Sequence, residues 1–369
     1  MELKGLLEML FAKKASDLHL RVGSVPVLRI DGNLFGTRPE PVSEREMTVL
    51  LNEALTSGQL ERFLRDKELD LALTVPGHGR VRVNAYFQKG TPALAFRAIK
   101  TSIPTFKELG LPPAIERLCS QRRGIILLTG ATGSGKSTTM ASMIEHINQT
   151  RSLNILTIED PIEFVFSNKK SLIAQREVLI DTESFLAALT HALREDPDII
   201  MVGEIRDQNT MKIALQAAET GHLVLTSLHT LNAVEAINRI ISFFPLNEQA
   251  QIRAMLSGAL QAVISQRLVG RKDARGRVPL VEIMISTAAI RECLTQTDKM
   301  NLIHGLIEDD QGTHGMQTFD QSILNLFNLG LISIETALEN ANNPNDLEMA
   351  IRGIKSSGSR LAEAAHGVA

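Results

Sequence analysis

The segment from Gly130 to Ser137 is a complete phosphate-binding loop with the pattern G-x-x-x-x-G-K-[ST]. An apolar run over residues 124–129 precedes it and predicts a buried strand, and apolar residues at helical spacing follow it. A loop between a strand and a helix offers unpaired backbone N–H groups and the positive end of the helix dipole to phosphate oxygens. A chance glycine-rich turn would lack these flanks. We therefore expect Lys136 to reach the β- and γ-phosphates and Ser137 to ligate Mg²⁺. The predicted nucleotide-binding residues of the loop are Gly133, Ser134, Gly135, Lys136, Ser137 and Thr138.

Acidic side chains follow two further apolar runs, each of which predicts a strand. Residues 155–158 lead into Glu159, Asp160 and Glu163, and residues 198–202 lead towards Glu204. Because α/β sheets bind ligands at the carboxyl ends of their strands, we expect these carboxylates beside the phosphate loop. A solvated acidic turn is the alternative for the first cluster. Glu204 is the first candidate for orienting the attacking water, which a P-loop ATPase requires.

Three more side chains stand out beside the predicted strands. Arg206 could sense the γ-phosphate or form an ion pair with a neighbouring acid, and the sequence leaves both roles open. His222 and His229 lie at the two ends of a further apolar run, where a histidine considered alone is more often a satisfied structural group than a catalyst. No cysteine or third histidine is close to them in the sequence, so a zinc site is not predicted.

The first 100 residues predict a mixed α+β domain. Its predicted helices cover residues 2–13 and 43–66, the second with a capping box, and its predicted strands cover 15–22, 26–30, 80–87 and 93–99. Arg82 and Arg97 lie on the polar faces of the last two strands. Arginines in such positions are usually just solvated. They gain a role if that face meets a nucleotide bound to another domain or subunit, as an arginine finger does.

The remainder of the chain predicts a second, larger domain. Prolines cluster in the predicted linker, and the strands predicted at 124–129, 153–158, 198–202 and 222–228 alternate with helices. That order is typical of a mostly parallel sheet with both faces covered. A long helix is predicted at 247–267 and several short helices at 287–355. The predicted division is an N-terminal domain at 1–100, a linker at 101–113, an ATPase core at 114–285, and a helical C-terminal region with a tail at 286–369.

Composition argues against a membrane-spanning or disulfide-rich protein and gives no support for nucleic-acid binding. The formal net charge of −3 gives no overall preference for nucleic acid, and the absence of Trp with a single Tyr leaves few base-stacking platforms. No apolar run approaches a membrane span, and the N-terminus has no signal-peptide core. Cys119 and Cys293, the only cysteines, support no disulfide framework. We therefore expect a cytoplasmic protein that contacts a membrane only through a partner.

Taken together, these motifs resemble those of PilT-type ATPases, the retraction motors of type IV pili within the secretion-ATPase superfamily. The phosphate loop is common to many NTPases, but three other segments are more specific. Residues 158–163, 196–207 and 220–230 match this family's Asp box, Walker B region and His box. The segment at 15–20, A-S-D-L-H-L, is also typical of the family. The resemblance extends from about residue 5 to about residue 340.

The resemblance implies an α/β protein with a PAS-like N-terminal α+β domain and a RecA-like P-loop ATPase domain with a helical C-terminal part. It also implies ATP and Mg²⁺, bound between the two domains, and a cytoplasmic homohexamer at the inner face of the inner membrane. The implied catalytic residues are Glu204, Glu163, Arg82, Arg97 and His229. The implied nucleotide contacts beyond the loop are Glu159, Asp160, Arg206 and His222, and the implied Mg²⁺ site comprises Ser137, Glu204 and Glu163.

The implied partners are the inner-membrane platform protein of the pilus (PilC-like) and a second retraction ATPase. Two absences favour retraction over assembly: the chain starts at the PAS-like domain, and it lacks the four-cysteine zinc element that assembly ATPases usually carry. One segment departs from the family pattern. Retraction ATPases have a helix with the sequence A-I-R-N-L-I-R-E, whereas Ala289 to Gln296 has A-I-R-E-C-L-T-Q.

Several alternatives remain open from the sequence. Within the superfamily they are an accessory retraction ATPase (PilU-like) and a pilus assembly or type II secretion ATPase. Outside it they are a RecA-like nucleic-acid motor and a small-molecule kinase. The low net charge argues against the nucleic-acid motor, and the additional N-terminal domain has no obvious use in a kinase.

Overall fold

The computed structural model describes residues 2–30, 32–99, 102–272, 276–310 and 312–352. The chain divides into two compact units. The first comprises Met1–Ser102 with Ile162–Phe166, and the second comprises Ile103–Pro161 with Ser167–Ala369. No helix among the described residues is long and apolar enough to cross a bilayer.

The first unit is an antiparallel sheet with helices packed against it. Its helices are α1 (Leu3–Ala12), α2 (Glu44–Ala54) and α3 (Ser57–Asp66). Its strands are β1 (Asp17–Arg21), β2 (Val27–Ile30), β3 (Asn33–Gly36), β4 (Glu68–Val75), β5 (Gly79–Gln88) and β6 (Thr91–Ala98). The strand order is β3-β2-β1-β6-β5-β4, and every pair is antiparallel. Leucines of α1 and α2 share one hydrophobic core with the buried face of these strands.

The helical stretch predicted at 43–66 is two helices rather than one. The predicted capping box at Ser43 and Glu46 is confirmed, and a second box at Thr56 and Gln59 begins α3. Leu55 has extended backbone angles and ends α2, so the chain turns between the two caps. The strands β3 and β4 were not predicted from the sequence.

The second unit contains a seven-stranded sheet of order β13-β12-β7-β11-β10-β8-β9. Its strands are β7 (Gly124–Thr129), β8 (Asn154–Glu159), β9 (Leu172–Glu177), β10 (Ile199–Val202), β11 (Leu223–Leu228), β12 (Leu260–Gly270) and β13 (Arg277–Ile285). All neighbours are parallel except the β12–β13 pair. The four predicted strands are confirmed within one residue at each end. All residues of β7 are buried, because both faces of the sheet are covered.

Helices of the second unit cover this sheet and form the C-terminal part. Those before and within the sheet are α4 (Phe106–Leu109), α5 (Pro113–Leu118), α6 (Lys136–Thr150), α7 (Phe185–Ala192), α8 (Gln208–Glu219), α9 (Ala233–Ser242) and α10 (Leu246–Ala259). The C-terminal ones are α11 (Ala288–Thr295), α12 (Ile303–Glu308), α13 (Phe319–Asn328), α14 (Ile334–Asn340) and α15 (Pro344–Ile351), with a 3₁₀ helix at Thr297–Leu302. The predicted run of short C-terminal helices is therefore confirmed.

The helix predicted at 247–267 is wrong in its second half. The helix α10 ends at Ala259, and the next residues form β12, which pairs with β7 on one side and β13 on the other. Helical and strand periodicity are hard to separate in a continuous apolar run, and here the pairing partners decide. Of the basic loop predicted at 271–277, Arg277 begins β13, and residues 273–275 lie outside the described residues, as does the predicted tail beyond residue 352.

Candidate functional site

The phosphate loop connects β7 to α6 as predicted. Gly135 caps α6 with a φ of 96°, a conformation that suits glycine. A side chain on Gly130 would place its Cβ 2.3 Å from the carbonyl oxygen of Gln266, so glycine is required there too. Lys136 is buried, and its Nζ donates hydrogen bonds to the carbonyls of Gly130 (2.7 Å) and Ala131 (3.0 Å). The ammonium group is thus held inside the loop, where a phosphate would lie.

Two further features of the loop suit an anion. Within the described part of the chain, the Oγ of Ser134 is buried without a hydrogen-bond partner, although buried hydroxyls normally have one. Ser137 is half-buried in the first turn of α6, whose unpaired N–H groups and dipole favour negative charge. These residues fit a nucleotide phosphate, with the Ser137 hydroxyl as a ligand for Mg²⁺.

The carboxyl ends of the parallel strands bring Glu204 and His229 together. Glu204 follows β10, and His229 follows the neighbouring strand β11. The Nε2 of His229 lies 3.0 Å from Oε2 of Glu204, and the guanidinium of Arg206 forms an ion pair with Oε1 of the same carboxylate. The Glu204 side chain is only 14% exposed. Of the two roles open for Arg206, this structure shows the ion pair.

The predicted acidic cluster is divided. Glu159, the last residue of β8, is buried and accepts hydrogen bonds from Thr157 Oγ1 (2.7 Å) and Gln175 Nε2 (3.1 Å). Asp160 is exposed, and Glu163 is exposed within the segment that belongs to the first unit. Among the described residues, no group of three or more His, Cys, Asp or Glu side chains is arranged to hold a metal.

His222 does not join this group within the chain. It precedes β11, at the amino end of the strand, whereas His229 follows its carboxyl end, and the six-residue strand between them spans roughly 20 Å. Its Nδ1 lies 2.9 Å from the carbonyl oxygen of Ala217. A nucleotide contact for His222 therefore stays a prediction.

The two candidate arginines of the first unit are direct neighbours. Arg82 on β5 is paired in register with Arg97 on β6. Like charges in this position repel each other, and each arginine has a carboxylate nearby: Asp70 at 3.7 Å from Arg82, and Asp17 at 2.8 Å from Arg97. The side chain of Arg97 is nevertheless 71% exposed and that of Arg82 40% exposed. Both guanidinium groups are thus oriented yet accessible.

Asp17 is the buried member of this arrangement. Burial raises the pKa of its carboxyl, but hydrogen bonds from Ser16 and Arg97 and the charge of Arg97 outweigh burial and hold the pKa below its ordinary value. Asp17 is therefore the anion that orients Arg97. The sequence contained this residue within the A-S-D-L-H-L segment, but its role depends on the β1–β6 pairing and was not predicted.

A cavity of about 280 Å³ lies beside the phosphate loop in the second unit. The loop and α6 contribute Ser134, Gly135 and Thr138 to its wall. Apolar side chains form much of the rest, from Leu109, Leu111, Leu268 and Pro279. Sequence reasoning missed this cavity because Leu268 belongs to β12, whose residues before 268 were assigned to a helix.

Comparison with known proteins places this chain among ATPases of pili and secretion systems. Residues 3–337 match the family described as type II/IV secretion system protein. The chain is 45% identical over 344 residues to the type IV pilus retraction ATPase PilT of Pseudomonas aeruginosa, covering 93% of this chain and 99% of the relative. It is 36% identical over 371 residues to the type IV pilus ATPase PilU of the same organism, covering 100% and 96%. A crystal structure of the pilus retraction motor PilT with bound ADP matches with a TM-score of 0.87 and 43% identity, covering 94% of this chain and 99% of that one.

Proposed function

Because this chain belongs to the type II/IV secretion system protein family, we propose that it is an ATP-hydrolysing motor that powers retraction of type IV pili. The observation that carries the proposal is a likeness to PilT over nearly the whole of both chains, in sequence and in fold. The predicted resemblance to PilT-type ATPases is confirmed. The predicted fold class is also confirmed: the first unit is the PAS-like α+β domain, and the second is the RecA-like ATPase domain with its helical C-terminal part.

ATP is proposed to bind at the phosphate loop, with its phosphates at the N-terminus of α6. The ammonium group of Lys136 would turn from the loop carbonyls to the β- and γ-phosphates. The cavity beside Thr138 is proposed to take the nucleoside, since its apolar wall and volume approach the range of small-molecule pockets, which starts at about 300 Å³. Mg²⁺ would neutralise charge on the phosphates when bound to the Ser137 hydroxyl. The structure of PilT with ADP supports a nucleotide at a protein of this fold.

Glu204 is proposed to orient the attacking water. Its carboxylate lies at the carboxyl edge of the sheet, and His229 and Arg206 hold both of its oxygens. A carboxylate with fixed orientation is what in-line attack on the γ-phosphate requires. Glu163, Glu159 and Asp160 are proposed to assist at the metal and the water. In this structure Asp160 and Glu163 are exposed to solvent, whereas Glu159 is buried and held by hydrogen bonds.

Arg82 and Arg97 are proposed to supply positive charge to the phosphates from the PAS-like domain, as arginine fingers do. Their exposure and their orientation by Asp70 and Asp17 support this role. Binding of ATP where two domains or subunits meet would then couple each turnover to a movement between them. We propose domain limits at 1–100 and 114–285, joined by a linker at 101–113 and followed by the helical region from 286.

The assembly is proposed to be a homohexamer at the inner face of the inner membrane. Its proposed partner is the platform protein of the pilus, through which rotation would extract pilin subunits. The full-length likeness to PilU supports a second candidate, an accessory retraction ATPase that acts with a primary one. The altered helix segment from Ala289 to Gln296, most of which lies in α11, leaves room for that candidate.

Deletion of the gene, scored for surface pili and twitching, tests the proposal. Excess unretracted pili with loss of twitching would support the primary retraction motor. Weakened twitching that is restored by overproducing a second retraction ATPase would support the accessory motor. Bald cells would contradict both and indicate assembly. Phosphate release by the purified protein with and without DNA separates these functions from a nucleic-acid motor, which DNA would stimulate.

A further inference from the structure

Three polar side chains form a buried row across neighbouring strands of the ATPase domain. Thr129 on β7 is paired in register with Ser265 on β12, and Ser265 with Glu282 on β13. The hydroxyl of Thr129 donates to the Oγ of Ser265 (2.9 Å), which donates to Oε1 of Glu282 (3.3 Å). Thr129 and Ser265 are 0% exposed and Glu282 is 2% exposed. The row thus ends in a carboxylate.

The two ends of this row lie next to two different segments of the proposed nucleotide site. Thr129 is the residue before Gly130, where the phosphate loop begins. At the other end, Oε1 of Glu282 also accepts a hydrogen bond from the backbone N–H of Ala233 (2.8 Å). Ala233 is the first residue of α9, which follows the segment that contains His229. One carboxylate therefore connects the start of the phosphate loop with the segment whose histidine holds Glu204.

The apolar surroundings of the row make a purely stabilising role a poor explanation. Val263 and Met284, two residues along their strands from Ser265 and Glu282, belong to the hydrophobic core. Burial raises the pKa of Glu282, although the Ala233 amide, the charge of His304 and the Ser265 hydroxyl act in the opposite direction. A buried ionisable group often contributes no more stability than a well-packed apolar one. The cost of burying the Glu282 carboxylate is explained if that carboxylate fixes the relative position of two segments.

We propose that Glu282 is a positioning residue for ATP hydrolysis, acting through Ser265 and Thr129 on the phosphate loop and through Ala233 on the His229 segment. The inference rests on the proposed ATPase function. A shift of the loop on nucleotide exchange changes the hydrogen bonds that reach Glu282 and, through the N-terminus of α9, the position of His229 against Glu204. Breaking the row should therefore lower kcat, whereas KM should change little, because the substitutions leave Lys136 and the backbone N–H groups of the loop in place.

The test uses Thr129→Val and Ser265→Ala in the full chain, with ATP turnover measured by phosphate release. Valine keeps the shape of threonine and removes only the hydroxyl. We expect each variant to lose about tenfold in kcat, the effect of roughly one buried hydrogen bond, with KM within about twofold of wild type. The matched control is Ser322→Ala, which removes a buried hydrogen bond to the N–H of Val281 (3.1 Å), the residue beside Glu282 on β13. The control should lower the melting temperature and leave kcat near wild type.

Two additional measurements separate positioning from folding. The double variant of Thr129 and Ser265 should lose little more kcat than either single variant, because both changes break the same row. Glu282→Gln, whose amide oxygen can still accept both hydrogen bonds, should retain more activity than Glu282→Leu. The proposal is overturned if the row variants keep the kcat of the Ser322→Ala control, or if the two single losses add in full. A wild-type protein that does not hydrolyse ATP would instead remove the proposed function, and this inference with it.

Discussion

Replacing Glu204 by glutamine should abolish most ATP turnover while leaving ATP binding intact. The amide has the shape of the carboxylate, and His229 can still contact it, since Nε2 of His229 lies 3.0 Å from Oε2 of Glu204. The amide is neutral and cannot accept a proton from the attacking water. Loss of such a group costs roughly 10²- to 10⁴-fold in rate, which is about 3 to 5 kcal/mol in the activation barrier. The Lys136 and Ser137 contacts to phosphate should be unaffected.

The same change should have little effect on the stability of the fold. The substitution removes one charge from the ion pair with Arg206, whose side chain is 71% exposed. Although the Glu204 side chain is only 14% exposed, the exposed arginine leaves the pair open to screening by solvent. Ion pairs of that kind contribute about 0 to 1 kcal/mol, so the expected shift in melting temperature is no more than about 4 °C. A rise of several kcal/mol in the activation barrier, together with a loss of less than about 1 kcal/mol in the free energy of unfolding, would identify a chemical role for Glu204.

The assay combines phosphate release at saturating ATP, binding of a fluorescent nucleotide and thermal unfolding. Glu248→Gln is the matched control, because Glu248 is also paired with a cation, Lys212 at 3.7 Å, but belongs to α10 and not to the phosphate loop or the strand ends that carry the candidate site residues. That control should turn over ATP within about twofold of wild type, as expected for a surface ion pair. If Glu204→Gln keeps more than a third of wild-type turnover, or loses nucleotide binding, the assignment of Glu204 is wrong.

Four more substitutions test other parts of the site. Lys136→Ala should weaken binding of ATP and ADP by at least about tenfold, since a buried charge-assisted phosphate contact is lost, and unchanged affinity in a nucleotide titration would contradict the loop assignment. Arg97→Ala and Arg82→Ala should each lower turnover by about tenfold or more while gel filtration shows the same oligomer, and unfolding of the first domain would instead make these arginines structural. Asp17→Asn should reduce turnover in the same direction as Arg97→Ala. It should also flatten the acid limb of the stability-versus-pH curve. Because the pKa of Asp17 is lowered in the folded state, its carboxylate contributes stability above the pKa of the unfolded state, and this contribution is lost as the pH falls through the folded-state pKa. An unchanged acid limb in acid denaturation would contradict this.

The part of the site that sequence could predict is formed by consecutive residues. The phosphate loop, its strand and its helix are adjacent in the chain, and glycine is demanded at Gly130 by a close approach and at Gly135 by a positive φ. Glu204 was predictable for a different reason: it follows an apolar strand, and α/β sheets bind ligands at the carboxyl ends of their strands. A role for His229 came only from the resemblance, and its contact with Glu204 depends on β10 and β11 being neighbours.

The part that sequence could not predict depends on which strands are neighbours. Residues 260–270 continue directly from α10. Gly258, two residues before the change, is only a weak local signal, and the strand conformation follows from pairing with β7 and β13. The strands β9 and β13 were missed as well. Within the N-terminal domain, the link between Asp17 and Arg97 joins residues far apart in the sequence, and nothing local marks it.

The buried row from Thr129 to Glu282 shows why this distinction matters for function. Each residue considered alone is an ordinary polar side chain on a strand, and no motif contains all three. Only the order β7-β12-β13, combined with a register that places Ser265 opposite both Thr129 and Glu282, turns them into one connected chain. Residues that perform chemistry must meet the nucleotide, so they gather at the carboxyl edge of the sheet where motifs can mark them. Residues that coordinate the segments around the nucleotide must instead form hydrogen bonds between neighbouring strands, and their pattern becomes visible only when the strand order is known.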